Sequence, residues 1–144
     1  MPHIDVWIHL VWATKSRKPL LTSQIRPVVF NHIRENAKLK DIHLDFINGF
    51  TQHVHLLVSM NAKQTIAEIT QLIKGESSFW INKNQLTTTK FEWQDDYYAV
   101  SVSHSALNRV REYIKNQESH HEKKTFDQEV DEFVRKYGFE RLND

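Results

Sequence analysis

The stretch DIHLDFINGFTQHVHLLVSM, residues 41–60, decides the fold of this chain. Apolar and polar residues alternate on both sides of the turn at residues 49–52, and alternate residues of a β-strand point to the same face of a sheet. A connection this short joins antiparallel strands. We therefore predict a hairpin whose second strand has one apolar face and one face that carries histidines. The apolar face holds Val54, Leu56 and Val58, and the opposite face holds His53, His55, Leu57 and Ser59.

Further strands and helices flank this hairpin. Thr22 or Ser23 can cap a helix that buries an apolar stripe, and Thr125 with Gln128 has the spacing of a capping box for a last helix. The first strand is expected to be central, because both of its alternating sets contain apolar side chains. The predicted strands cover residues 4–13, 41–50, 53–60 and 97–102, and the predicted helices cover residues 22–40, 64–83, 103 or 105 to about 121, and 125–138.

This order, β-α-β-β-α-β followed by two helices, predicts an α+β fold of the ferredoxin-like, split β-α-β type. Its antiparallel sheet would have helices packed on one face, which leaves the other face available for a site or a partner. One of the C-terminal helices would carry Tyr113. We expect a single domain over residues 1–144, with a core over about 4–121.

The composition excludes several classes of protein. The chain of 144 residues is 40% hydrophobic, which suits one domain with a hydrophobic core. It has no apolar run of the about 20 residues that cross a membrane. The absence of cysteine fits a reducing cytoplasm, so we predict a cytoplasmic protein. The net charge of +1 is too small to indicate nucleic-acid binding by itself.

His53 and His55 are the residues that indicate function most directly. Because they lie two residues apart in a strand, both imidazoles can reach one divalent metal ion. Two histidines at this spacing are a weak metal signal without further ligands. The alternative interpretation is a half-exposed strand with two incidental histidines.

Tyr113 and Gln117 add to this signal from the third helix. Residues four apart in a helix share a face, so the two side chains can offer a nucleophile and a third metal ligand together. They lie at the edge of the stripe formed by Leu107, Val110 and Ile114. The alternative is a boundary tyrosine beside an amide that reaches water.

A histidine pair, a tyrosine and a neutral oxygen ligand together suit phosphoryl transfer. The pKa of a free tyrosine is about 10, which makes it a poor nucleophile at neutral pH. A nearby divalent cation favours the phenolate and polarises a phosphate for attack. The ligand set would suit Mg²⁺ or Mn²⁺, with substrate completing the coordination shell. The pattern therefore suggests a covalent phosphotyrosine intermediate.

These motifs give the chain a resemblance to the single-tyrosine HUH transposases of minimal bacterial insertion sequences, whose close relatives are the REP-associated tyrosine transposases. HUH stands for His-hydrophobe-His, here His53-Val54-His55. One departure is Gln52, where the family usually has Asp. The resemblance covers about residues 9–117 and rests on HLVWATKSRKP (9–19), QHVHLLV (52–58), LIKGESS (72–78), WQDDYYAVSV (93–102) and YIKNQ (113–117).

The resemblance implies specific roles for these residues. His53, His55 and Gln117 would bind the metal, and Tyr113 would attack single-stranded DNA to give a 5′-phosphotyrosine and a free 3′-OH. The 3′-OH of a second strand would then reverse the step without ATP. The family also implies a homodimer whose sheets join edge to edge, and a DNA hairpin near the end of the element. Whether Tyr113 serves its own subunit or the other stays open.

Basic and aromatic residues predict DNA contacts outside this centre. Lysine and arginine would contact phosphates, and aromatic rings would stack on unpaired bases. For the three basic residues of 15–18 the alternative is a solvated loop, and for Lys74 it is a lysine on a helix surface. Ser101 could instead cap the helix. Core packing is the alternative for at least two of the three aromatic residues Trp93, Tyr97 and Tyr98. The predicted DNA-binding residues are Lys15, Arg17, Lys18, Lys74, Tyr97, Tyr98 and Ser101.

Three other functions remain open at this point. A domesticated relative would act on dispersed genomic palindromes, and a non-catalytic nucleic-acid-binding module would use the same fold. A replication-initiation or relaxase nuclease of the HUH type is the third, which the short chain disfavours. The DNA target, the cleavage position and the preferred metal do not follow from the sequence.

Overall fold

A four-stranded antiparallel sheet organises the chain. The computed structural model describes residues 2–117, 125, 127–129 and 131–132. The strands follow one another across the sheet in the order β2-β3-β1-β4, with antiparallel pairs throughout. This is the predicted ferredoxin-like α+β fold. Its elements are β1 (Val6–Ala13), α1 (Arg26–Leu39), β2 (His43–Phe50), β3 (His53–Met60), α2 (Ile66–Lys83), β4 (Tyr98–Val102) and α3 (Leu107–Lys115).

The two faces of β3 pack against different helices, as its alternating sequence predicts. Its apolar residues join the main core with side chains of α1 and α2, such as Ile33 and Ile73. On the opposite face Leu57 packs with Leu107 and Ile114 of α3. The face that we expected to stay open is therefore partly covered by α3, because this helix has its own apolar stripe to bury.

Helix α3 is also held by polar contacts to the edge strand β2. Arg111 Nε donates to Asp45 Oδ2 at 2.7 Å, and Asn48 Nδ2 donates to the backbone oxygen of Lys115 at 3.0 Å. Both contacts join β2 to the last two turns of α3. They fix the helix along the sheet and thereby the position of Tyr113.

Two helices, α1 and α3, begin later in the chain than predicted. Helix α1 begins at Arg26 with Ile25 as its N-cap and no side-chain cap, so the prediction of Thr22 or Ser23 was wrong. Leu21 is fully buried, and a turn then leads from it to the helix. The third helix is preceded by a 3-10 turn, His104–Ala106, so α3 begins later than Ser103 or Ser105.

The capping box of the last helix is confirmed. Gln128 N donates to Thr125 Oγ1 at 3.2 Å, and Thr125 N donates to Gln128 Oε1 at 2.9 Å. Residues 127–129 and 131–132 are helical. The rest of the predicted helix, to residue 138, lies outside the described residues, as do residues 118–121 of the predicted third helix.

Gly49 marks a close approach between β2 and the start of β3, and it yields a testable prediction. A Cβ there would overlap the carbonyl oxygen of His53 and lie 2.9 Å from Val54 Cα, so Gly49→Ala should destabilise the fold by about 1–3 kcal/mol. Gly75 is the matched control, because a Cβ there meets nothing within 4 Å in the middle of α2. Gly75→Ala should stabilise the protein by about 1 kcal/mol.

Urea denaturation of both variants measures these effects. Equal unfolding free energies for the two alanine variants would contradict the close approach at Gly49.

None of the helices in the described part of the chain is long and apolar enough to cross a membrane.

Candidate active site and metal centre

The histidine pair lies deep in the structure, on a central strand. His55 pairs across the sheet with Val11 of β1 and Asn48 of β2. The two rings meet nearly at right angles with centroids 5.0 Å apart. His53 is 0% and His55 1% exposed, so the strand is not half-exposed at these two positions.

His9 is a member of this cluster that the sequence analysis did not single out. It lies on β1, and its Nε2 is 2.9 Å from Nδ1 of His55. A hydrogen bond to one imidazole nitrogen fixes the ring orientation and leaves the other nitrogen for a metal or a carboxylate. The alternation of β1 places His9 on the sheet face that also carries His55. In the sequence both alternating sets of β1 residues look buried, so nothing marked His9 as a residue of the site.

Gln117 reaches the histidine pair from just beyond α3. Its Oε1 lies 3.0 Å from His53 Nε2, and its Nε2 donates to the backbone oxygen of Tyr113 at 3.2 Å. The side chain is fully buried, so the alternative in which it reaches water is wrong. Tyr113 and Gln117 thus come together with the histidines, although they are far apart in sequence.

Tyr113 lies half-buried beside the same cluster. Its ring centroid is 5.6 Å from that of His55 and 6.0 Å from that of His9. Its hydroxyl donates a hydrogen bond to Glu129 Oε1. Burial raises the pKa of the Tyr113 phenol well above its ordinary value, and the charge and hydrogen bond of Glu129 raise it further. In this arrangement the phenol keeps its proton.

Glu129, like His9, is a member of the cluster that was not predicted from the sequence. Its Oε1 is 3.0 Å from His55 Nε2, its Oε2 is 3.4 Å from His53 Nε2, and the residue is only 5% exposed. Residues 127–131 are visibly acidic in sequence, and the capping box predicts their helix. Neither signal indicates which acidic side chain turns inward.

These groups together fit a divalent metal ion. Ligand atoms of His53, His55 and Glu129 all lie within 4.8 Å of one another, and all three residues are buried. Burial of a carboxylate costs folding free energy unless the carboxylate is paired or binds a metal ion. Two imidazoles, one carboxylate and the Gln117 amide oxygen are ligands that Mn²⁺ accepts, while Mg²⁺ prefers oxygen alone.

The predicted basic residues lie in two places, an exposed loop and helix α2. Lys15, Arg17 and Lys18 are exposed on a loop that contains a 3-10 turn. Arg17 forms an ion pair with Asp127, and Lys15 forms one with Glu92 at 3.6 Å. The loop therefore contacts the segment that carries Glu129. Its contact to DNA stays a prediction.

Lys74 has a structural role in addition to its predicted contact with DNA. Its Nζ donates to the backbone oxygens of Gln94 and Asp95, which ties α2 to the segment before β4. Burial lowers the pKa of this amine. It lies away from the Tyr113 cluster, in an open groove that includes Gly75 and Tyr97.

The predicted aromatic and serine residues also differ in surroundings. Trp93 is buried in the main core, and its Nε1 donates to Ser77 Oγ at 2.9 Å, so it packs as the alternative interpretation expected. Tyr97 is 36% exposed and Tyr98 is half-buried. Ser101 is exposed and lines the cavity beside Tyr113.

Comparison with known proteins places the chain in a family. Residues 3–117 match the family model described as "Transposase IS200 like". This chain belongs to the IS200-like transposase family. The match covers His53, His55, Tyr113 and Gln117 and ends before Glu129. The glutamate is therefore a feature of this chain beyond the part that the family model describes.

Two curated relatives agree with this IS200-like membership. The chain is 26% identical over 114 residues to the ISDra2 transposase TnpA of Deinococcus radiodurans, covering 76% of this chain and 81% of the relative. It is 24% identical over 115 residues to the transposase for insertion sequence element IS200 of Salmonella typhimurium, covering 76% and 74% of the two chains.

Two solved structures share the fold of this IS200-like transposase. A Deinococcus radiodurans protein described as a transposase superposes with a TM-score of 0.64 at 22% identity, over 81% of this chain and 93% of the other. A REP-associated tyrosine transposase bound to a REP hairpin superposes with a TM-score of 0.61 at 13% identity, over 84% and 72%.

Proposed function

We propose that this IS200-like transposase cleaves and rejoins single-stranded DNA at hairpin-marked element ends through a 5′-phosphotyrosine, with a divalent metal ion. One observation carries the proposal: the Tyr113 hydroxyl and the candidate ligands His53 and His55 meet at a single carboxylate, Glu129. A nucleophile beside a metal centre is the arrangement that metal-assisted phosphoryl transfer needs.

The proposed reaction exchanges one phosphate ester for another. Tyr113 Oη forms a bond to phosphorus as the bond from phosphorus to the 3′ oxygen breaks. The phenol loses its proton, and the departing 3′ oxygen gains one. Attack of a second strand's 3′-OH on the phosphotyrosine restores Tyr113 and joins the two strands, so the sequence of steps needs no ATP.

The candidate metal ligands are His53, His55 and Gln117, to which the geometry adds Glu129. A metal ion bound there would stabilise negative charge on the phosphate. His9 would orient the His55 ring through its 2.9 Å contact, and the polar contacts of α3 to β2 would hold Tyr113 in reach.

The hairpin substrate and the homodimer belong to the same proposal. The REP-associated relative is bound to a hairpin by its own description, and a similar substrate is proposed for this chain. Within the described sheet β4 lies at one edge, and this edge is proposed to form the edge-to-edge dimer. Use of Tyr113 within its own subunit suits its 5.6 Å ring separation from His55. The cytoplasmic location stays a prediction.

Incubation with DNA tests the proposal directly. The protein would be mixed with single strands that carry a hairpin and the sequence flanking its gene, in the presence of Mn²⁺ or Mg²⁺. We expect a covalent protein–DNA adduct on a denaturing gel and a free 3′-OH fragment. No adduct with any such strand, in either metal, would rule the proposal out.

Glu129 yields a prediction about metal binding that does not depend on activity. Glu129→Gln should weaken Mn²⁺ binding by at least about tenfold, because it removes the charged ligand of the centre. Because Mg²⁺ prefers oxygen ligands and two of the candidate ligands are imidazoles, the wild-type protein should bind Mn²⁺ more tightly than Mg²⁺. Isothermal titration calorimetry measures both effects.

Glu132→Gln is the matched control for this prediction. Glu132 is an exposed acidic residue of the same segment, and its loss should leave Mn²⁺ affinity nearly unchanged. Equal Mn²⁺ affinity for wild type and Glu129→Gln would exclude Glu129 as a ligand.

A further inference from the structure

A cavity of about 600 Å³ opens directly beside Tyr113. It lies where the end of β4 meets α3, on the sheet face that carries the histidine cluster. Its wall includes His9, Ser101, Ser103, Arg109, Tyr113 and Glu129. Because Tyr113 forms part of this wall, a DNA strand placed in the cavity would bring a phosphate within reach of its hydroxyl.

Arg109 occupies a distinctive position in the wall of this cavity. It precedes Tyr113 by four residues in α3, so the two side chains share one face and lie about 6 Å apart along the helix axis. Arg109 is exposed. Among the described residues, no side chain forms a hydrogen bond or an ion pair with its guanidinium.

The neighbouring Arg111 shows what a structural arginine looks like on the same helix. Its guanidinium donates to Asp45 at 2.7 Å and to Asn108 at 3.1 Å, and its side chain is partly buried. Arg111 therefore has its partners within the fold. Arg109 differs because it is exposed and lines the cavity that the proposed nucleophile also lines.

We propose that Arg109 binds a backbone phosphate of the DNA strand that Tyr113 attacks. The inference rests on the proposed function and adds a substrate-binding residue to it. A guanidinium binds phosphate through two parallel hydrogen bonds, and here it would hold the strand along the nucleophile's own helix. Ser101 and Ser103 are exposed residues that line the same cavity.

The acidic residues of the cavity limit where the phosphate can lie. The carboxylate of Glu129 is already in contact with Tyr113, His53 and His55. Glu132 also lines the cavity and would repel a phosphate nearby. The strand is therefore expected on the side formed by Arg109 and the two serines.

Salt-dependent DNA binding tests this role. A fluorescein-labelled oligo(dT) strand serves as the probe, and anisotropy gives the affinity of wild type and Arg109→Ala at several salt concentrations. Arg109→Ala should lower affinity about tenfold at low salt. It should also reduce the slope of log affinity against log salt by about 0.7, the share of one phosphate contact. Arg109→Lys should keep the slope and lose part of the affinity.

Arg34→Ala is the control for net charge. Arg34 is exposed on α1, which packs on the opposite face of the sheet, so its loss should leave the slope unchanged. Circular dichroism and urea denaturation check that each variant is folded. If Arg109→Ala does not fold, Arg109→Gln carries the same expectation.

Two results would overturn the inference, and they can be told apart. If wild type forms the covalent adduct but Arg109→Ala keeps the wild-type slope and affinity, Arg109 does not bind phosphate and the proposed function stands. If wild type forms no adduct with any flanking strand, the proposed function fails and the inference fails with it.

Discussion

Tyr113→Phe is expected to abolish the covalent protein–DNA adduct, lowering its rate of formation by at least about 1,000-fold. The substitution removes only the hydroxyl that would attack phosphorus and leaves the ring beside His9 and His55. Its stability should change by no more than about 1–2 kcal/mol, because one hydrogen bond to Glu129 is lost. Denaturing gels with labelled DNA and Mn²⁺ measure the adduct.

Tyr98→Phe is the control for this first prediction. Tyr98 is a half-buried residue of β4, and it lies outside the residues that line the Tyr113 cavity. Because this variant keeps the aromatic ring that is predicted to stack on DNA, it should form the adduct at nearly the wild-type rate. An adduct formed by Tyr113→Phe would show that another residue is the nucleophile and would remove the basis of the proposed reaction.

His55→Ala is expected to have the second largest effect, with loss of both metal binding and strand cleavage. The variant removes one of two imidazole ligands and breaks the contacts of this ring to His9 and Glu129. Hairpin DNA binding should be largely retained, because the predicted phosphate contacts lie on other side chains. Calorimetry with Mn²⁺, the adduct assay and anisotropy with hairpin DNA measure the three properties separately.

His104→Ala is the matched control, because His104 lies on the 3-10 turn before α3 with a side chain that is 77% exposed. It should bind Mn²⁺ and cleave DNA as wild type does. His53→Ala provides a second variant of the centre if His55→Ala does not fold. Full cleavage by a folded variant of either buried histidine would exclude the proposed metal centre.

The order of elements was predictable because it depends on local patterns. The alternation in residues 41–60 predicted the hairpin and the face of β3 on which each side chain lies. The capping box at Thr125 and Gln128 is confirmed by its two hydrogen bonds. The cap of α1 was not predictable in this way, since a buried Leu21 and the following turn moved the helix start past Thr22 and Ser23.

Part of the site was also predictable from the sequence. His53 and His55 share a face because strands have a period of two, and Tyr113 and Gln117 share a face because a helical turn spans about four residues. Each pair follows from its own element. The meeting of the two pairs did not follow from either element and was expected from the family resemblance. In the structure the pairs do meet, because His53 Nε2 lies 3.0 Å from Gln117 Oε1.

The sequence by itself thus determined the strands, the faces of β3 and both halves of the candidate site, because each depends on residues a few positions apart. Only the tertiary structure decided that α3 packs on the histidine face of the sheet, and that His9 and Glu129 complete the cluster. No local period predicts such contacts, since Glu129 and His9 come from opposite ends of the chain. Burial selects them, because a carboxylate and imidazoles enclosed together must bind one another or a metal ion.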